Sequence, residues 1–468
     1  MADFLKPDLC VLGSGSLGTA LAIKARQAGL DVILVRLPRD EENDPTAGHL
    51  RRAAFLASAA RAQALRHAGK LGLSNAEPKP NFRAIGERAA AIAEALGPRD
   101  SDDRLTALDI KVLADDAAFL DRTTLRCGEA HIRAGQFVLA FGEQSDIPAL
   151  PGLDQVPFFT PLTIADNMRK LSHLVVIGGT PEAFELAQAY VRLGSMVTLV
   201  PQGGLLPGFD SELVNILLRD LREEGLTVLD DATVTAIQPR SQGTGVVLAR
   251  ASGEDHLDVS HILVAMSGRP DLDAGLLDLA RLKRDSLRPD QLQLGPDGQT
   301  SNNRVSAIGA AAGRPEPHIG TLQLNLMVER LSRRGKGQLD PRLAPRMVLT
   351  EPPLAQLGLL ETDRAPRAGQ TVLRTNLAEG DHARANAASN GAAKLMVDTK
   401  GNIAGAGAVG PGAGDLMTTL ALVLTQGLKL PKLSQLAPPQ SGAAAALVEL
   451  ADQFLLRQPR TGLFRRRH

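Results

Sequence analysis

Leu9-Cys10-Val11-Leu12-Gly13-Ser14-Gly15-Ser16-Leu17-Gly18 is the stretch that decides the fold. An apolar run that breaks into glycines spaced G-x-G-x-x-G, then into a helix over Thr19–Ala28, is a strand–turn–helix unit. Such units seat a dinucleotide pyrophosphate on a helix N-terminus. Gly13 allows the tight turn, Gly15 lets backbone approach the pyrophosphate, and Gly18 permits close helix–strand packing. With Ser16 and Leu17 between them, these are the candidate cofactor-binding residues of the first unit. The plan recurs where Leu174–Ile177 breaks into Gly178-Gly179-Thr180-Pro181-Glu182-Ala183. Two such units predict an α/β protein with two doubly wound Rossmann-type nucleotide domains.

Bulk properties agree with a multidomain globular protein. A chain of 468 residues predicts two to four domains, and its 44% hydrophobic content is ordinary. Lys plus Arg and Asp plus Glu both total 52, leaving no field to favour nucleic acid or an anionic membrane. Trp is absent and Tyr190 is the only tyrosine, so chemistry that needs stacking has little to draw on. Cys10 and Cys127 form no CxxC or CxxxxC pair, which excludes a local redox disulfide or a cysteine metal site. Cys10, inside the first strand, reads as a small buried thiol. No Ser-His-Asp spacing or metal-ligand cluster is evident, so no metal is expected. Met1–Pro7 runs straight into the first strand with no room for a signal peptide, and Leu416–Leu424 is too short to span a bilayer. A cytoplasmic protein is expected. The closing Arg465-Arg466-Arg467-His468 reads as a solvated run.

Along the first unit, the second strand is expected at Asp31–Leu37, helices at Ala47–Gly69 and Ala84–Leu96, and short strands at Lys111–Leu113 and Gln136–Ala140. Ile147–Gly152 reads as a linker. The second unit continues with helix Pro181–Leu193, strand Met196–Val200, helix Asp210–Glu224 and strands at Thr227–Leu229, Gly245–Ala249 and His261–Ala265. After Ser267-Gly268-Arg269-Pro270 the chain is expected to return to the first domain, with a strand at Val305–Gly309 and a helix from His318. From Pro341 a third region carries strands at Met347–Thr350 and Ala393–Val397, two helices beyond Gly414, and the low-complexity Ala443–Ala446 within the last helix.

Further stretches give the chain a family likeness. Leu205-Leu206-Pro207-Gly208-Phe209-Asp210, Leu263-Val264-Ala265, Gly268-Arg269-Pro270, Ser306-Ala307-Ile308-Gly309, Thr350-Glu351-Pro352 and Val409-Gly410-Pro411-Gly412-Ala413-Gly414 follow one another in a fixed order. With both glycine turns, this series resembles the flavoprotein disulfide reductases of the dihydrolipoamide dehydrogenase, glutathione reductase and mercuric reductase type, over nearly the whole chain. The resemblance implies an FAD domain over 1–152 and 270–340, interrupted by an NAD(P) domain over 153–269. It also implies a C-terminal α/β interface domain over 341–468 that pairs two subunits into a homodimer.

Measured against that family, the chain departs at several anchors. An acidic residue about 20 positions past the first glycine normally bonds the adenosine ribose; here Arg36 and Pro201 stand at the two strand ends. FAD carries no ribose phosphate for Arg36 to meet, so it reads as a solvated surface arginine. Thr180 fills space a phosphate would occupy and Glu182 adds negative charge, which weighs against NAD(P) at Gly178, Gly179 and Ala183. The Gly-Asp pair that would bond the flavin's ribityl and phosphate portion is Gly309-Ala310. Losing that carboxylate costs about 1.5–3 kcal/mol, roughly tenfold to a hundredfold in affinity, which weakens FAD binding without abolishing it. The two redox-cysteine positions are Asn43 and Gly48, with Arg52 at that of the flavin-side lysine. Without thiolates, disulfide reduction by that route is excluded. The His-Glu dyad positions are Ala437 and Gly442, neither able to move a proton. His49, His318 and His382 remain as histidines of interest, His318 at a helix start that would face the flavin and Asp381-His382 as a loop pair. Two readings stay open. One is a divergent oxidoreductase passing hydride from NAD(P)H through FAD directly to a diffusible acceptor. The other is a non-catalytic relative kept as a dimeric scaffold or regulatory partner.

Overall fold

The computed structural model describes residues 4–38, 45–95, 101–272, 277–335, 338–340, 343–361, 366–367, 369–388, 390–439 and 443–458, with backbone alone at 45–47 and 382. Asn43, Gly442 and the Arg465–His468 run lie outside the described residues.

Each glycine turn sits at the end of a central strand of a parallel sheet. The first sheet is ordered Val305–Ala307, Gln136–Leu139, Leu9–Leu12, Val32–Arg36, Lys111–Ala114. Side chains alternate across a strand, and both faces of Leu9–Leu12 are buried. Leu9 and Val11 meet Leu21, Ala22 and Ala25 of helix α1 (Ser16–Gln27), together with Leu324 and Met327 of the Pro317–Leu331 helix. Cys10 and Leu12 meet Phe119, Leu125 and Ile132 from a small four-stranded layer on the other face. Burial on both faces is why the strand reads as an unbroken apolar run.

Helices α2 (Pro45–Arg66), α3 (Phe82–Glu94) and α4 (Asp102–Ala107) fill the excursion between the second and third strands. Beyond Leu139 the chain leaves through Glu143–Gln144, builds the second sheet, and returns through Arg269–Pro270, which pairs antiparallel with that exit segment. The second sheet is ordered Thr227–Val228, Met196–Val200, His173–Ile177, His261–Val264, all parallel. Leu174 and Val176 pack toward helices α5 (Pro181–Arg192) and α6 (Ser211–Glu223). Val175 and Ile177 pack toward a three-stranded antiparallel layer made of Ala232–Pro239, Thr244–Arg250 and Gly253–Val259. The third region is a five-stranded antiparallel sheet covered by helices Ala413–Thr425 and Ala445–Arg457.

Several elements depart from the sequence expectations. The strands of the small layer, Ala232–Pro239, Gly253–Val259, Leu354–Gly358, Gln370–Asn376 and Ile403–Val409 were not foreseen, nor was α4. Those of the small layer are only two or three residues long, and Ala232–Pro239, Gly253–Val259 and Gln370–Asn376 are sheet edges, Gly253–Val259 exposed along most of its length. Leu354–Gly358 and Ile403–Val409 are buried inside their sheet, and their alanine- and glycine-rich sequences gave little strand signal. The Asp381–Ala385 segment is a short helix and not a loop. Ala443 and Ala444 precede the last helix, which begins at Ala445.

Candidate cofactor cleft

The first turn is held by close backbone approach. Gly13 has φ +110°, and a β-carbon there would lie 2.6 Å from the Ala140 carbonyl oxygen; one on Gly18 would collide with the Gly13 carbonyl. Gly15 is the N-cap of α1, so the helix starts without a side-chain cap. Between this N-terminus and the Pro317–Leu331 helix lies a cavity of about 210 Å³, with Gly15, Ser16, Lys24, Arg314 and Glu316 among its walls. The Lys24 ammonium donates to Asn325 Oδ1 at 2.6 Å.

Opposite the turn, Gly309 has φ +61° and its N–H donates to Gln323 Oε1 at 2.8 Å. Ala310 beside it is buried and brings no carboxylate. Leu17 reaches across the gap. A β-carbon on Gly309 would collide with its Cδ2, and one on Gly320 would lie 3.0 Å from it.

Arg36 stays partly exposed, as the sequence suggested, but it is paired. Its guanidinium grips Asp102 in the first turn of α4, Nη2 to Oδ1 at 2.6 Å and Nη1 to Oδ2 at 3.2 Å. That bond holds the Asp102 carboxyl below the usual range. Asp102 was missed because nothing in the sequence ties the end of one strand to the last helix of the long excursion that follows it.

At the second turn, Gly178 has φ +140° and faces the Ala265 carbonyl, while Gly179 is backed by the Gly204 carbonyl. Leu206 N–H donates to Gly179 O at 2.9 Å, closing the following loop onto the turn. Thr180 is the N-cap of α5. Its Oγ1 accepts from the Ala183 N–H at 3.3 Å and donates to the Ala265 carbonyl at 3.0 Å. The Thr180 hydroxyl thus satisfies an amide of the first turn of α5, the kind of donor a bound phosphate would otherwise engage.

From α2 the cleft receives charge and no nucleophile. A β-carbon on Gly48 would come within 2.7 Å of Leu162 Cδ2, so that position is capped by an apolar side chain. Arg52 lies 3.1 Å from His49 Nδ1, 3.3 Å from Glu182 and 2.9 Å from Glu185. Glu185, 2% exposed, also accepts from the Leu349 N–H at 2.8 Å. Burial works against the Arg52 charge, but Glu182, Glu185 and Glu143 outweigh it and hold the guanidinium protonated. Burial, then the Arg52 charge, pushes His49 down. Glu143 is raised to about 7 by burial and then by Glu182. Sequence reasoning found Arg52 but missed Glu185, whose signal was a lone carboxylate in the apolar run Ala183-Phe184-Glu185-Leu186-Ala187.

The remaining candidates stand outside this ion-pair network, although His318 is near enough to contribute to pushing His49 down. Exposed His318 donates from Nε2 to the Pro345 carbonyl at 2.7 Å. His382 sits in the short Asp381–Ala385 helix and Ala437 is exposed. Cys10 and Cys127 are both buried in the core, where burial pushes each thiol up. Among the described residues no His/Cys/Asp/Glu group could hold a metal ion, and no helix is long and apolar enough to cross a membrane.

Comparison with known proteins gives this geometry a context. Residues 7–323 match the model of the pyridine nucleotide-disulphide oxidoreductases, and residues 344–450 match the dimerisation domain of the same proteins. A mercuric reductase of Streptomyces lividans is 26% identical over 456 residues, covering 96% of each chain. A dihydrolipoyl dehydrogenase of Thermus scotoductus is 28% identical over 453 residues, covering 95% of this chain and 96% of the other. The solved structure of an HOCl-induced flavoprotein disulfide reductase, RclA from Escherichia coli, has the same fold. It superposes with a TM-score of 0.80 at 19% identity, over 96% of this chain and 100% of that one. FAD is the cofactor these comparisons imply. The residues present here do not fit it well: an isobutyl group bridges the bed beside the first turn, Ala310 offers no acceptor, and Arg36 faces Asp102.

Proposed function

We propose, from the premise that the chain belongs to the pyridine nucleotide-disulphide oxidoreductase family, that it is a member without the electron relay. It serves as a non-catalytic dimeric relative, a scaffold or regulatory partner. The observation that carries this reading is the cleft end of α2, where Leu162 covers Gly48 and Arg52 is tied between His49, Glu182 and Glu185. Dithiol exchange requires a thiolate, and both thiols of the chain are buried in the core with their ionisation suppressed. The Thr180 cap on α5 supports the same reading for NAD(P), because the amide that a pyrophosphate would use is already bonded.

A second reading rests on the intact Gly13, Gly15 and Gly18 turn and on the cavity beside it, walled in part by Lys24 and Arg314. In that reading FAD binds weakly and hydride passes from NAD(P)H to a diffusible acceptor. Reconstitution separates the two. The purified protein is incubated with FAD, desalted, and mixed anaerobically with NADH or NADPH while the flavin band is followed. The non-catalytic reading expects a colourless protein that oxidises neither nucleotide with disulfide, mercuric or quinone acceptors. A retained flavin band that NAD(P)H bleaches rapidly establishes the second reading instead.

A further inference from the structure

We infer that the Leu17 side chain takes the place of the cofactor diphosphate and closes the first nucleotide site from within. The inference deepens the non-catalytic reading above and rests on it. A dinucleotide pyrophosphate lies over the N-terminus of the helix that follows the glycine turn, bonded by that helix's first amides. Room for it must exist between this N-terminus and whatever element stands opposite. Here Gly309 and Gly320 stand opposite, and neither brings a side chain into the gap.

Leu17 fills that gap. A β-carbon built on Gly309 would collide with its Cδ2, and its two methyl groups lie 3.0 Å and 3.4 Å from where Gly320 would carry one. The side chain is partly buried and continuous with the core cluster that contains Leu21, Ile308 and Leu324. It is therefore anchored from below and does not project freely into solvent. A diphosphate placed there would have to overlap the aliphatic carbon of Leu17, a steric conflict that the donors around the cavity do not relieve. The space left beside Leu17, about 210 Å³, falls short of the roughly 300–1,000 Å³ of ordinary ligand clefts.

Two neighbouring features agree. Ala310 supplies no carboxylate to the ribityl side, and the adenosine end holds the Arg36–Asp102 pair in place of a free acid. These weaken a cofactor contact, whereas Leu17 excludes one. The sequence motif stays complete because it counts only glycines, and the obstructing residue sits at one of its unspecified positions.

The test measures flavin uptake, not turnover. Full-length protein and the variants Leu17→Gly, Leu17→Ala and Leu17→Gly/Ala310→Asp are titrated with FAD by flavin fluorescence quenching. Each is then desalted and its visible absorption recorded, with thermal melting of the FAD-free proteins as the check on folding. The parent should retain no flavin. Both single variants should bind FAD about tenfold or more tighter than the parent, and the double variant a further tenfold or so. Leu17→Ala keeps a good helix former and covers the case in which Leu17→Gly melts early. Variants that fold like the parent yet gain no affinity overturn the role of Leu17 and leave the non-catalytic reading standing. Stoichiometric FAD on the parent also overturns it, and the non-catalytic reading falls with it only if NAD(P)H then bleaches that flavin.

Discussion

Glu143 is a carboxylate set among carboxylates, with Glu182 and Glu316 both raising its pKa and Arg52 alone lowering it. Burial is the largest cause, and together they bring the group to about 7. In the unfolded chain the same group titrates near 4.5. Below that value both states are protonated and the contribution to stability is fully present. Between about 4.5 and about 7 the unfolded state ionises first, so the contribution falls as pH rises; above about 7 it is gone. Glu143→Gln should therefore melt close to the parent at pH 4.5 and higher than it at pH 8, by an amount worth about 1–3 kcal/mol. Parallel melting curves across that range would remove Glu143 from the account. Arg52 makes the opposite case. Arg52→Ala leaves Glu185 and Glu182 without their cation and should cost about 3–5 kcal/mol, read as a lower urea midpoint. An unchanged midpoint would mean that the pair contributes nothing. Neither residue pattern was fully legible: Arg52 emerged from its place on α2, but a charge partner on α5 exists only once the two helices are packed.

At the scale of elements, the strand–turn–helix units were readable because they combine two strong local signals, an apolar run and glycines whose φ values or backbone contacts exclude other residues. The antiparallel layers were readable only in part: Gly245–Ala249, Met347–Thr350 and Ala393–Val397 were expected and match strands, but their partners were not foreseen. Gly253-Glu254-Asp255-His256-Leu257-Asp258-Val259 shows hardly any alternation, since it is an exposed edge strand recruited by its neighbour Thr244–Arg250. Thr180 shows how an element-level role can pass for a site-level one. In sequence it obstructs a phosphate; in the fold it caps α5 and bridges to the carbonyl that ends the His261–Val264 strand. Thr180→Ala should lower stability by about 1 kcal/mol and speed hydrogen exchange at the Ala183 amide. FAD uptake should stay where it was, because the first turn lies in the other sheet. If exchange at Ala183 is unaltered, Thr180 is not the functioning cap.

At the scale of the whole molecule, the second nucleotide unit is fastened to the C-terminal sheet by charge. Lys394, 1% exposed on the strand Ala392–Asp398, binds both Asp210 oxygens at 2.9 Å, with Glu212 and Glu361 each at 2.7 Å. Arg374 on the adjoining strand pairs with Glu212 and Glu361 as well. Asp210 is the N-cap of α6, so the network ties a helix start in one sheet layer to two strands of another. A second clamp runs from α5, where Arg192 grips Glu351 at 2.6 Å and Gln188 bonds its carbonyl at 2.7 Å. The sequence hid all of this, because a lysine between Ala393 and Leu395 reads as an ordinary strand residue until three acids converge on it. Lys394→Met keeps the length and apolar stem but leaves buried Asp210 without a cation, a loss of about 3–5 kcal/mol. That penalty falls on the junction alone. The variant should therefore unfold in urea in two steps, the C-terminal sheet separating before the parallel sheets melt, where the parent unfolds in fewer. Since residues 344–450 match the dimerisation domain of the family, and the chain is proposed above to be dimeric, the first step should coincide with dissociation measured by size-exclusion chromatography at matched urea. A variant that unfolds like the parent, in the same steps at the same midpoint, would show that the junction is held by its apolar contacts and not by Lys394.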